Sequence, residues 1–208
     1  ESVSIPVQFH PVEMFDVLDV LKNVSRIIVQ EKTDGNNVYV NMSACGRKTS
    51  FAVTVAAMYH EVVSYYVAAD GYATGENSGK EIDHGMSIVE TDNIELLQQF
   101  QIMKLKDINV ELLAELYRRK TNNTPYMKSD EIINFLHERK VHGFEIKPEE
   151  KRGLDKSKHR RALLNRISRS HLEELEGQKY IEKKKIGKEF SVKITPAGSH
   201  IACVSGLV

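Results

Sequence analysis

The sequence predicts two modules of different class. One is an α/β doubly wound parallel sheet over residues 1–92; the other is an α+β unit of three helices and a β-hairpin over 107–208. A helix at 93–106 joins them. Three observations carry this reading. The first ninety residues alternate strand and helix patterns with short connections, the order that buries a parallel sheet. The second half reads as helix, helix, charged insertion, helix and hairpin. The charge divides at the same place: residues 1–104 hold 7 Lys and Arg against 14 Asp and Glu, whereas 105–208 hold 22 against 15. A chain of zero net charge thus has an acidic and a basic half, and the basic half is the one to test for nucleic acid.

The first module is justified element by element. Residues 3–9 are short and β-rich. Pro11 can open a helix, where its missing N–H costs nothing. Met14, Phe15, Leu18, Leu21, Val24, Ile27 and Ile28 then recur at helical spacing to about residue 31. Residues 33–37 are a turn cluster, 38–42 a strand, and 43–46 a loop that opens a helix over 48–60. Residues 62–68 form a strand apolar enough to be covered on both faces. Ninety residues is short for such a sheet, and the expectation is that a first strand and helix are missing from this chain. Residues 69–91 hold four glycines and no periodicity apart from an edge strand near 86–89. Ile94, Leu97, Ile102 and Leu105 give the joining helix its spacing.

In the second module Val110, Leu113, Leu116 and Tyr117 mark the first helix. Ser129 caps the second, whose buried stripe is Ile132, Ile133 and Leu136. Residues 141–157 are a charged insertion. A long helix spans about 158–177, and strands at 180–185 and 189–194 flank Gly187-Lys188, a pair suited to a type II′ turn.

At 100° per residue, Leu163, Leu164, Ile167, His171 and Leu175 share one face of the long helix and pack on the first two helices. The opposite face carries Lys158, Arg161, Ala162, Asn165, Arg166 and Arg169, then Glu173 and Glu176. The basic residues crowd the N-terminal half, where the helix dipole disfavours cations. A phosphate-lined groove offsets that cost through counterion release, and Arg and Asn are the residue types that read guanine and adenine edges. The hairpin adds Lys183, Lys184, Lys185, Lys188 and Lys193. The alternative reading is a solvated charged face.

Residues 164–182, the basic hairpin, and Ile194-Thr195-Pro196-Ala197-Gly198 resemble winged helix-turn-helix regulators of the MarR/ArsR kind over 107–203, most specifically from 172 to 198. The charged insertion at 141–157 departs from that family. The resemblance implies double-stranded DNA as partner and pairing of two copies on a palindrome.

The loop at 43–48 sits at the carboxyl end of a strand, where free N–H groups and the helix dipole favour an anion. Two readings stand: an anion site with Arg47 and Lys48 in the first turn, or a tight turn in which Gly46 only supplies positive φ. The run Asn41-Met42-Ser43, then Gly46 and Lys48 before an Ala/Met-rich helix, then Ser64-Tyr65-Tyr66-Val67, resembles the CARF domain (CRISPR-associated Rossmann fold) over residues 10–75. It looks like archaeal regulators that place such a domain before a winged helix. The resemblance implies a Rossmann-like sensor in which Ser43, Gly46 and Lys48, with Arg47 beside them, line a pocket for cyclic oligoadenylate or another nucleotide, often at a dimer axis. Arg47 stands where the family commonly has Ser or Thr, and the loop is one residue longer.

The remaining composition narrows the classes. The chain is 41% hydrophobic and 28% charged, which excludes wholesale disorder. No apolar run reaches the ~18 residues of a membrane span, and no secretory signal pattern opens the chain. Cys45 and Cys203 form no metal-ligand pattern and suit a reducing cytoplasm. The sequons at Asn23, Asn41 and Asn122 are then chance matches. No phosphate-binding Walker loop, nucleophile elbow or zinc motif occurs. Asp16 and Asp19 read as a helix-surface pair before a catalytic dyad.

The expected function is therefore a cytoplasmic, homodimeric, DNA-binding transcription regulator without a cofactor or catalytic residue. The rivals are a ring nuclease acting on cyclic oligoadenylate and a non-specific architectural DNA-binding protein.

Overall fold

The computed structural model describes residues 6–72, 87–88, 94–97, 105–186 and 189–208. The chain divides into two compact units, 1–104 and 105–208.

In the first unit, α1 spans Val17–Thr33 and buries Val20, Leu21, Ser25 and Ile28. It starts later than the periodicity predicts because the Asp16 carboxylate accepts from the N–H groups of Leu18 and Asp19 and caps the helix there. Pro11, Met14 and Phe15 precede it, and both apolar side chains are exposed. Strand β1, Tyr39–Asn41, pairs in parallel with β2, Val63–Val67, and α2, Arg47–Tyr59, is the crossover between them. The buried face of α2 is Ala52, Val53, Ala56 and Ala57, small side chains that suit close packing on α1. Gly71–Tyr72 (β3) and Ser87–Ile88 (β4) form a short antiparallel ladder, the latter within the expected edge strand.

The doubly wound, all-parallel sheet is corrected here. Ile94–Leu96 forms β5 and pairs antiparallel with β2, giving a mixed sheet of order β1-β2-β5. The joining helix predicted at 93–106 is therefore a strand over 94–96. Ile94, Glu95 and Leu96 alternate with period two, and the free edge of β2 rewards that pairing over a helix. Residues 98–104 lie outside the described residues. Residues 6–9 of the predicted first strand join no ladder. Nor is β2 covered on both faces. The register places Tyr39, Val63, Ile94 and Leu96 on one face of the sheet, and all four are exposed, Val63 at 39%.

The second unit begins with α3, Asp107–Thr121, then β6, Met127–Lys128, and α4, Ser129–Glu138. Next come α5, Gly153–Ile167, a π-helical turn at Ser168–Leu172, and α6, Glu173–Gly177. Strands β7, Ile181–Ile186, and β8, Glu189–Ile194, form the hairpin, and α7, Pro196–Val204, follows. The sheet order is β6-β8-β7. Ile186 lies opposite Glu189, which leaves a two-residue connection; Gly187 and Lys188 lie outside the described residues. The core joins Leu112, Leu113 and Leu116 of α3 to Ile132, Ile133 and Leu136 of α4, Leu163 and Ile167 of α5, and Val192 of β8.

Five details differ from the sequence reading. The short β6 and the helix α7 were not anticipated. The long helix starts at Gly153, inside the insertion, where Phe144 is buried as part of the core. Ser129 is the first residue of α4 rather than its cap; its hydroxyl is buried without a hydrogen-bond partner, and the Glu131 carboxylate accepts from the Lys128 N–H instead. The π-turn adds a residue to the helical repeat, so both His171 and Leu172 face the core.

Candidate nucleic-acid interface and the loop at 43–48

The face of α5 opposite Leu163 and Ile167 is open. Lys158, Arg161, Asn165, Arg166 and Arg169 are all exposed. Among the described residues, Lys158, Arg161, Asn165 and Arg169 make no side-chain hydrogen bond or ion pair. Four side chains at helical spacing thus offer three cations and an amide to solvent.

Arg166 is placed differently. A Cβ built on Gly143, whose φ is +87°, would fall 1.3 Å from the Arg166 Nη1. The guanidinium lies over the turn between α4 and α5, in space that only a glycine leaves open. The same turn carries Glu145, which accepts the Gly143 N–H at 2.8 Å. That bond first, and then the nearby His142 and Arg166 charges, hold its carboxyl below the ordinary range.

In the hairpin, Lys184 and Lys185 are exposed and without a charged partner among the described residues. Lys183 donates to Ser168 Oγ at 3.0 Å and sits 4.7 Å from the Phe190 ring centroid. Lys193 pairs with Glu182 at 2.8 Å. Lys188 lies outside the described residues.

Sequence reasoning missed Arg160. Its Nε and Nη2 donate to the two oxygens of Asp130 at 2.9 and 3.1 Å, and Nη2 also donates to Glu189 at 2.9 Å. The Asp130 hydrogen bond is the main cause of its raised pKa. The partners lie about thirty residues away on either side, and no local pattern announces them.

Another network surrounds His171. Its Nδ1 meets Asn109 Oδ1, the Asn109 amide donates to Glu174, and Lys106 reaches both Glu174 and the Ser170 carbonyl inside the π-turn. A cleft of about 340 Å³ beside α3 and α4 is occupied by ion pairs: Arg119 bridges Glu115 and Glu131, and Arg139 stacks on Phe135.

In the first unit, Ser43 Oγ donates to Asn41 Oδ1 at 2.5 Å and accepts from the Val67 N–H at 2.8 Å, tying the end of β1 to the end of β2. Gly46 is the N-cap of α2 with φ −67° and ψ 165°. The reading that it supplies positive φ is therefore corrected, and a Cβ at Gly46 would meet nothing within 4 Å. No side chain caps α2. Arg47 is exposed. Lys48 donates to the Phe15 carbonyl at 3.3 Å, and Thr49 to that of Met14 at 3.1 Å. Burial pushes the Cys45 thiol up, away from the reactive thiolate. Asp16 is a helix cap, and Asp19 accepts from the Glu13 N–H and from Asn23. Among the described residues no group of His, Cys, Asp and Glu could hold a metal ion, and no helix is long and apolar enough to cross a membrane.

No curated protein and no solved structure matches the chain. Residues 1–72 match a family described as HFX_2341_N-like, N-terminal. Residues 108–206 match the DUF6293 C-terminal winged helix domain, so the unit that presents the cationic face of α5 is a winged helix.

Proposed function

We propose that the protein is a DNA-binding transcription regulator whose winged helix binds duplex DNA through α5 and the β7–β8 wing. One observation carries the reading: the unpaired row Lys158, Arg161, Asn165 and Arg169 on the open face of α5, in a domain that matches a winged helix family. The helix starts at Gly153, so these cations lie past its first turn, where the dipole no longer sets their cost, and phosphates would neutralise them with release of counterions. The first unit would act as the sensor. Its anion site would lie at the uncapped start of α2, with Gly46, Arg47 and Lys48 around a nucleotide and Ser43 fixing the loop. The CARF resemblance makes cyclic oligoadenylate the first ligand to try. Two-fold pairing suits a winged helix on a palindromic operator, so the expected state is a homodimer. The proposal is a binding protein without a hydrolytic step.

The test is selection of duplexes from a random pool, followed by binding isotherms of one selected and one random duplex at two salt concentrations. A regulator keeps a preference of ~10³-fold or more for the selected duplex at physiological salt. Equal binding that vanishes together on adding salt would leave only a non-specific architectural role. Light scattering at micromolar concentration checks the dimer, and recovery of intact cyclic oligoadenylate after incubation checks that no cleavage occurs.

A further inference from the structure

We propose that Arg160 is a positioning residue that braces the wing against α5, so that the exposed wing lysines are held ready for phosphates. This deepens the DNA-binding reading and rests on it. Arg160 lies 200° around the helix from Lys158, away from the open cationic face. One guanidinium joins three elements: α5 itself, Asp130 in the first turn of α4, and Glu189, the first residue of β8. The pair with Asp130 is bidentate, the geometry that fixes orientation as well as distance.

The wing needs such a tether. The third strand, β6, reaches only Val192 and Ser191, so the outer part of the hairpin has no third strand. A lone two-stranded ribbon is marginal in water. Among the described residues, two side-chain bonds reach that ribbon from the helical layer. Lys183 of β7 bonds Ser168, and Glu189 of β8 bonds Arg160. Arg160 also offsets two carboxylates that would otherwise repel DNA beside the wing.

The experiment compares Arg160→Gln and Asp130→Asn with the parent in the full chain. Amide hydrogen exchange is followed over residues 181–186 and 189–194 in free protein, and the salt dependence of duplex binding is measured. In Arg160→Gln the wing amides should exchange ~10-fold faster or more. The slope of log affinity against log salt should shrink by about two, the contribution of Lys184 and Lys185, with the preference among sequences kept. Asp130→Asn supplies a test of sign. If Arg160 were itself a phosphate contact held back by Asp130, releasing it would tighten binding; the brace requires weaker binding and faster wing exchange. A folded Arg160→Gln variant whose wing exchanges within two-fold of the parent overturns the proposal, and so does tighter binding by Asp130→Asn. A parent protein with no salt-dependent duplex binding removes the DNA reading instead, while the exchange measurement still decides the brace.

Discussion

The Nδ1 of His171 lies 2.8 Å from Oδ1 of Asn109, and both side chains are buried. The Asn109 amide nitrogen donates to Glu174 at 2.8 Å, so its oxygen is the acceptor and His171 carries the proton on Nδ1. Burial, and then the Lys106 charge, lower the His171 pKa below the ordinary 6.5, with Glu174 opposing. The folded protein thus resists a proton that the unfolded chain accepts. The stabilisation is complete above pH ~6.5 and is lost as pH falls toward the depressed value. Urea midpoints at pH 7.5 and 5.5 should separate in the parent and converge in His171→Gln. Asn109→Ala should cost ~1–3 kcal/mol at pH 7.5, because it strands the imidazole N–H. A parent midpoint that is flat across this window would show that His171 is not the titrating group.

Gly198 explains the Thr-Pro-Ala-Gly segment physically. Thr195 caps α7 by accepting the Gly198 N–H, and Pro196 occupies the first turn. A Cβ at Gly198 would fall 2.2 Å from the Tyr180 carbonyl oxygen and 2.8 Å from Ile194 Cγ1. Backbone cannot step aside as a long side chain can. Gly198→Ala should therefore destabilise by ~2–3 kcal/mol, whereas Ala197→Ser, at an exposed neighbour, should stay within ~0.5 kcal/mol. Chemical denaturation of the two variants checks this.

The winged helix was legible because its signals are local. The stripe Leu163, Ile167 and Leu175, the hairpin boundaries and the Thr195-to-Gly198 exit each lie within a short window. What escaped was non-local or too short to have a period. The strand β6 has two residues, and Arg160 finds its partners about thirty residues away. The π-turn shifts the inward stripe by one residue, so Leu172 faces the core against a fixed 100° count. In the first unit the helices and the β1–β2 pair follow their periodicity. The strand at 94–96 did not, because three residues fit helical and strand spacing equally until pairing with β2 decides. The clearest loss in the candidate site is Arg166. Its angle on the helix wheel places it with the open cationic set, yet Gly143, with no side chain, lets the guanidinium fold back over the preceding turn.

That difference among the arginines is testable. Arg169→Ala should weaken binding to a selected duplex by ~1–3 kcal/mol if the side chain reads a base. Lys184→Ala and Lys185→Ala should each weaken all duplexes alike and lower the salt slope by about one. Arg166→Ala should affect binding less than Arg169→Ala and should loosen the turn around Gly143 in hydrogen exchange. Equal losses for Arg166→Ala and Arg169→Ala, with the turn unchanged, would restore Arg166 to the DNA-facing set.

The start of α2 offers a test in which stability and binding move in opposite directions. Gly46 has the extended dihedrals of an ordinary N-cap, open space around its Cα, and no side chain to accept the first N–H groups of α2. An Asp there supplies that acceptor and meets the positive end of the dipole, so Gly46→Asp should stabilise the protein by a few tenths of a kcal/mol. The same carboxylate would occupy the position proposed for a ligand anion and repel it. Titration with cyclic oligoadenylate and with inorganic phosphate should therefore show at least ~10-fold weaker binding by this variant. Lys48→Ala should also weaken binding while leaving ligand-free DNA affinity unchanged. It removes only one exposed bond to the Phe15 carbonyl, so it should cost less than ~1 kcal/mol of stability. A Gly46→Asp variant that is more stable yet binds both anions like the parent would reduce the loop to a plain strand-to-helix connection.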